Sequence, residues 1–321
     1  MKRAWLLIIA AALGAAAGIA QAAYPDRPVR IIVPYPPGGN IDITARAIAP
    51  GLGEALGTTV VVDNRGGAGG TIGSELAAKS APDGYTMLLG STGTLATSPL
   101  LYAKVGFDPL KDYAFTSLVS IVPLVMVVNP AIPAKTVKDF VALAKARPGR
   151  VTMGSAGTGT SNHLAGEYFQ SVAGVKLVHV PYKGSGPALV DLMGGQIDLM
   201  FDQLSSSIGY IHGGKLRAIA VTTLKRSSGL PNTPTVDESG YKGFEASTTT
   251  GILLPAATPK DIVQKVHAAL LKVLQQPSVK ENFARFGAEV LASSPQEFEK
   301  VLRNEIAKWT KVVREANVKV E

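Results

Sequence analysis

The chain has 321 residues, 46% of them hydrophobic, with 32 basic and 24 acidic side chains for a formal net charge of +8. That is ample apolar material for one or two compact α/β domains. It contains no cysteine, which excludes disulfide scaffolds, thiolate zinc sites, iron–sulfur clusters, cysteine nucleophiles and lipid attachment through a cysteine.

In chain order, Met1-Lys2-Arg3, the apolar run 4–20 and the small-residue pattern Ala20-Gln21-Ala22 have the plan of an export signal cleaved after Ala22. The run is alanine-rich and short for a membrane span, which needs ~20 apolar residues, so a periplasmic protein free in solution is expected. Strand-like runs then follow at 29–33, 59–62, 86–90, 118–128, 151–154, 177–180, 199–201 and 218–221, alternating with helical patterns. Such alternation predicts an α/β fold with mainly parallel sheets flanked by helices. After the first run, Ile41, Ala45, Ile48, Leu52 and Leu56 share one helical face. Pro50 inside that pattern is expected to kink or split the helix, because an interior proline removes a hydrogen bond and costs about 3 kcal/mol.

Near the C-terminus, Thr258-Pro259-Lys260-Asp261 opens a helix whose buried stripe is Ile262, Val266, Leu270 and Val273, and Gln275-Gln276-Pro277 ends it. Ser294-Pro295-Gln296-Glu297 is a capping box before Phe298, Leu302, Ile306 and Trp309. Both helices read as packing elements. No repeat and no low-complexity linker separates independent units, so two lobes must share the chain. The expected division is a signal peptide at 1–22, lobe 1 from 23–122 plus 224–321, and lobe 2 from 123–223. The run 118–128, with Pro123 inside it, carries the chain across, and the segment holding Pro231 and Pro234 brings it back.

The chemistry points to two loops, Tyr35-Pro36-Pro37-Gly38-Gly39-Asn40 and Ser155-Ala156-Gly157-Thr158-Gly159-Thr160. Each follows a β-branched run and leads into a helix. A helix start reached through glycines presents free backbone N–H groups and a partial positive charge, which suits an anion. Two such loops suggest a clamp across a cleft at the C-terminal ends of the strands.

Further segments, in order, are Asp63-Asn64-Arg65 with Gly67-Ala68-Gly69-Gly70, Ala81-Pro82-Asp83-Gly84-Tyr85-Thr86, Val180-Pro181-Tyr182-Lys183-Gly184, Gly194-Gly195-Gln196-Ile197-Asp198, Gly214-Lys215-Leu216-Arg217 and Pro231-Asn232-Thr233-Pro234-Thr235-Val236. With the two loops, Asp42 and His163-Leu164, this ordered set resembles the extracytoplasmic substrate-binding receptors of tripartite tricarboxylate transporters, the Bug family, over essentially the whole mature chain. The resemblance implies a two-lobed, type II periplasmic-binding-protein fold that captures a small organic acid and delivers it to the permease subunits of a membrane transporter. It also implies that a ligand carboxylate lies between the two loops, with contacts from Tyr35 to Asn40 and from Ser155 to Thr160.

Within that frame, Gly38, Gly39, Gly157 and Gly159 bring backbone N–H groups close to an oxyanion, Ser155, Thr158 and Thr160 add hydroxyl donors, and Tyr35, Pro37, Asn40 and Ala156 complete the contacts. A bulky residue at Gly39 or Gly157 is expected to abolish binding and leave the fold intact. Ser91 and Thr92 end at the same sheet edge and are further contacts. Lys183, Asp202 and Gln203 are candidates for the far end of the ligand; Asp198 and Asp202 are alternatively a solvated helix face at i, i+4 spacing. Asp42 is expected to cap and His163 to orient their loops. Many family members have phenylalanine, glycine and threonine where Tyr35, Asn40 and Ile41 stand, and tryptophan near Thr249, so ligand identity does not transfer.

An exported enzyme is the competing class. Asn162 occupies the third glycine of a dinucleotide fingerprint, Ser155 stands one place too early for a nucleophile elbow, and His163, His179, His212 and His267 show no metal spacing. No catalytic residue, metal or cofactor is therefore expected. The basic residues are scattered, so no nucleic acid is expected either. A monomer is expected, and a sensory subunit that signals to a membrane sensor kinase is the alternative to a transport receptor.

Overall fold

The computed structural model describes residues 24–316 and Val318; the signal segment expected at 1–22 lies outside the described residues. The β-branched run Val29–Val33 forms β1, almost wholly buried, between β2 (Val60–Asn64) and β3 (Thr86–Ser91) and parallel to both. Helix α1 (Asn40–Leu56) crosses from β1 to β2, and α2 (Thr71–Ala78) from β2 to β3. Of the kink or split expected at Pro50, the split does not occur: α1 continues through it as one helix. Ile41, Ala45, Ile48, Leu52 and Leu56 are all buried in one apolar cluster with β1, and that packing offsets the missing hydrogen bond. A short helix, α3 (Ser98–Leu101), follows a buried π-turn at Gly93–Thr97.

The strand β4 (Tyr113–Val128) has 16 residues, about 50 Å of extended chain, and belongs to both lobes. After it come α4 (Val137–Ala146), β5 (Thr152–Ser155), α5 (Ser161–Ala173), β6 (Val178–Pro181), α6 (Ser185–Met193), β7 (Leu199–Gln203), α7 (Leu204–His212) and β8 (Arg217–Val221). In this second lobe β5 pairs in parallel with β6 and β7. The chain then returns as β9 (Ser247–Pro255), α8 (Lys260–Leu274), α9 (Pro277–Arg285), β10 (Glu289–Val290) and α10 (Pro295–Glu315).

The strand order is β2-β1-β3-β9-β4-β7-β5-β6, with β8 and β10 pairing β4 off that path. The parallel pairing expected from the alternation holds on both flanks and gives way at the centre. There β9 runs antiparallel to β3 and β4, and β4 antiparallel to β7 and β8. Partner exchange on β4 falls at Pro123, which still faces Ser247 of β9 while Leu124 faces Gln203 of β7. A proline, lacking the N–H a continuous ladder would need, fits a point where pairing changes hands.

Two features of the C-terminal part were not expected. β9 is central, yet its opening Ser247-Thr248-Thr249-Thr250-Gly251 has no apolar alternation, and Pro277 starts α9 where only a helix end was foreseen. The capping box is present: Ser294 Oγ accepts from the Glu297 N–H at 3.2 Å and Glu297 accepts from the Ser294 N–H at 2.8 Å. Trp309 on α10 has no exposed surface and shares an apolar cluster with Ile32 of β1 and Phe169 of α5, so the last helix ties the two lobes together.

Candidate ligand-binding site

Both glycine loops end at the interface of the lobes. In the first, Gly38 stands at φ +90, a conformation that favours glycine, and Gly39 precedes α1 with no side-chain cap. Asp42 reaches back to accept the Gly38 N–H at 3.0 Å and also accepts from Arg46 Nε and Asn64 Nδ2, each at 3.0 Å. Burial pushes its carboxyl up, but these bonds outweigh burial and hold it below the usual range. Asp42 thus braces the loop through Gly38, one residue outside the cap position.

The second loop folds onto itself. The Gly157 N–H donates to Ser155 Oγ at 3.1 Å, Ser155 Oγ pairs with His179 Nε2 at 2.6 Å, and the Gly159 N–H donates to His163 Nδ1 at 3.2 Å. Thr160 Oγ1 donates to the Gly157 carbonyl at 2.7 Å. His163 stacks on His179 with ring centroids 3.9 Å apart. Burial, and His163 beside it, lower the His179 pKa to about 4, so His179 stays neutral and holds Ser155 by a hydrogen bond. The loop's carbonyls meet the first lobe: Thr97 Oγ1 donates to Gly159 O at 2.5 Å and Tyr102 OH to Thr158 O at 3.1 Å. The lobes are closed on one another.

Between them lies a narrow inner cavity of about 20 Å³, room for about one water molecule and well below the roughly 300–1,000 Å³ usual for small-molecule sites. The first lobe contributes Tyr35, Gly39, Asn40, Ile41 and Ser91; the second contributes Ala156, Thr160, Ser161, Asn162, Ser185 and Gln203. Four helix starts converge on it: α1 through Asn40 and Ile41, α5 through Ser161 and Asn162, α6 through Ser185, and α7 through its preceding residue Gln203. Each helix start carries roughly half a positive charge and N–H groups without intrahelical partners. No lining side chain is ionised at neutral pH; burial keeps the Tyr35 phenol protonated.

Two buried donors at this cavity have no hydrogen-bond partner, Asn40 Nδ2 from the first lobe and Ser161 Oγ from the second. Ser205 Oγ donates to Asn40 Oδ1 at 2.7 Å, which fixes the amide so that its NH2 is the free end. The back wall is a network of amides. Asn162 Nδ2 donates to Phe201 O at 2.8 Å and to Gln203 Oε1 at 3.2 Å, and Gln203 Nε2 donates to Thr248 Oγ1 at 3.2 Å. A buried polar donor costs free energy when unpaired, and two of them from opposite walls, in a positive and uncharged-lined pocket, suit an oxyanion.

The expected contacts divide. Tyr35, Gly39, Asn40, Ser91, Ala156, Thr160 and Gln203 line the inner cavity. Pro37 and Gly38 are exposed and line no part of it. Ser155 and Gly159 lie behind it, their polar groups used within the loop. Gly157, Thr158 and Lys183 line a separate outer cavity of about 150 Å³, from which Tyr35 and Ala156 partition the inner one. Tyr35 OH donates to Gly69 O at 3.0 Å and pins that partition. Thr92 pairs with Thr249 Oγ1 at 2.9 Å on a third, smaller cavity. The helix expected to carry Asp198 and Asp202 is absent; both precede or lie in a strand, where Asp198 accepts from Thr152 and Asp202 is fully buried. Ile41, Ser161, Asn162 and Ser185 were not anticipated. Ser161 follows Thr160 directly, so the cavity lining runs at least one residue past the expected segment Ser155 to Thr160. Among the described residues no cluster of histidine and acidic side chains is placed to hold a metal ion.

Residues 44–318 match the family described as "Tripartite tricarboxylate transporter family receptor". "Protein BugT" of Bordetella pertussis is 39% identical over 315 residues, covering 98% of this chain and 97% of that protein. The solved "periplasmic binding protein BugD" is 39% identical with a TM-score of 0.90, over 93% of this chain and all of that one. The structure of "R. palustris Rpa4515 with adipate" is 35% identical with a TM-score of 0.91 over the same shares.

Proposed function

From the premise that the chain belongs to the tripartite tricarboxylate transporter receptor family, a family of binding proteins, we propose that it captures a small organic carboxylate between its lobes in the periplasm. It then hands the ligand, as a monomer, to the permease subunits of a tripartite transporter. The pair of unpartnered donors, Asn40 Nδ2 and Ser161 Oγ, carries this reading. They come from opposite lobes, so one carboxylate that accepts from both also bridges the cleft and favours the closed form. First-turn N–H groups of α1 and α5 surround it, and Ser185 and Gln203 face the rest of the ligand. Lobe boundaries at 122/123 and 223/224 are part of this reading, and the partner exchange on β4 at Pro123 supports the first of them.

Calorimetric titration with adipate, and with shorter and longer diacids, tests the assignment. A hydrogen bond to a charged group contributes about 1.5–3 kcal/mol, so Asn40→Ala and Ser161→Ala should each weaken the best ligand by roughly 10- to 100-fold; the melting temperature of the free protein should be unchanged or raised in Ser161→Ala and lowered in Asn40→Ala, where Ser205 Oγ loses its acceptor. Unchanged affinity in both variants would remove these donors from the site.

A further inference from the structure

Directly behind the amide wall lies Asp202, with no exposed surface. Its partners are neutral donors: Asn162 Nδ2 at 3.2 Å on Oδ1 and Ser206 Oγ at 2.6 Å on Oδ2. Every element packed on it presents an uncharged neighbour: Val125 from β4, Asn162 from α5, Ser185 from α6 and Ser206 from α7. The titratable groups of those elements are engaged elsewhere. On α5, His163 holds the Gly159 N–H and faces Glu167; on α6, Asp191 accepts from Tyr182; on α7, Tyr210 and His212 lie at the far end of the helix.

A carboxyl so placed is costly to ionise, and it shares donors with the cavity. Asn162 and Ser185 line the inner cavity and also face Asp202. A ligand carboxylate held in that cavity and an Asp202 carboxylate would therefore repel one another in a low-dielectric interior and compete for the same donors and the same helix N-termini.

We propose that the site binds its carboxylate together with one proton, which Asp202 takes up from solvent as the ligand enters. This rests on the carboxylate reading above and goes beyond it by making capture a co-binding of anion and proton. The balance is simple: an anionic ligand, the ionised Asp202 side chain and one proton give a complex in which Asp202 is the neutral acid, donating its O–H within the network.

The pH window has a definite sign. In the free protein burial raises the Asp202 pKa to about 6, against the hydrogen bonds that lower it. Anion binding raises it further. Affinity is therefore flat below that pKa and falls by about tenfold per pH unit above it, until the pKa of the complex is passed. Ligand carboxylates, with pKa values near ~4, are already ionised there and do not cause the change.

The test is isothermal titration of the full mature protein at pH 7 with adipate, malate and a series of mono- and diacids, in two buffers of different ionisation heat. The difference in heat counts protons. Wild type is expected to take up a substantial fraction of one proton per ligand and to lose tenfold or more in affinity between pH 6 and 8.5. Asp202→Asn should take up none and show a flat profile. Binding without proton uptake by wild type overturns the proposal and leaves the receptor function standing, and this arm needs no variant to fold. Uptake that persists in Asp202→Asn overturns it too, because the proton then resides elsewhere. If no carboxylate binds at all, the receptor reading itself fails and the proposal falls with it.

Discussion

Gly157 and Gly39 look alike as loop glycines but differ in what the backbone asks of them. Gly157 stands at φ +129, and a Cβ there would lie 3.0 Å from the Tyr182 carbonyl oxygen; Gly39 has φ −90, and its nearest neighbour would be Ser185 Cβ at 3.8 Å. Strain of that kind costs of order 1–3 kcal/mol. Denaturant unfolding should show Gly157→Ala destabilised by that amount and Gly39→Ala by less than about 1 kcal/mol, and the opposite order would contradict the geometry. Substitution at Gly157 is thus expected to reach the fold, against the expectation that it leaves the fold intact. At this scale much of the site was legible, because glycine, serine and threonine ahead of a helix have few other uses. Asn40 came instead from the family resemblance, which implies contacts from Tyr35 to Asn40. Ser161 and Ser185 were not found, since a lone serine at a first helical position has no signal beyond its neighbours.

At the scale of elements, most strands were readable and the central β9 was not. β1, β3, β5 and β7 carry β-branched or long apolar residues buried on both faces, and their runs stand out. β9 is hidden because its threonines satisfy one another across strands: Thr250 Oγ1 pairs with Ser120 Oγ at 2.9 Å and Thr249 with Thr92. Hydroxyl pairs replace apolar burial there, so periodicity has nothing to detect. The same limit explains α1, where the local cost of Pro50 was visible and the packing that overrides it was not. For α10 the two contributions separate. Ser294→Ala removes a cap and should cost about 1 kcal/mol, whereas Trp309→Ala empties a fully buried site and should cost roughly 3–5 kcal/mol. Equal losses in thermal unfolding would mean that the helix is held by its start and not by its packing.

The molecule as a whole is two α/β lobes sharing one long strand, closed by contacts that leave a small cavity with a positive field and no side-chain cation. Under the proposed carboxylate function, selectivity would be a matter of shape and hydrogen bonding: helix termini would attract any carboxylate, and Tyr35, Ser185, Asn162 and Gln203, which line the cavity, would set what else fits. The two-lobed plan could be read from the sequence because the apolar runs fall into two groups joined by the Pro123 segment. The strand order could not, since it depends on the long-range return of β9.

The most direct test of the carboxylate site is the shift in melting temperature of the mature chain with a series of carboxylates and their matched amides. A ligand at 100 times its dissociation constant adds about 2.7 kcal/mol, several degrees for a protein of this size. A shift with at least one carboxylate and none with its amide is expected. Equal shifts for acid and amide, or none for any acid after bound molecules have been removed by unfolding and refolding, would contradict it.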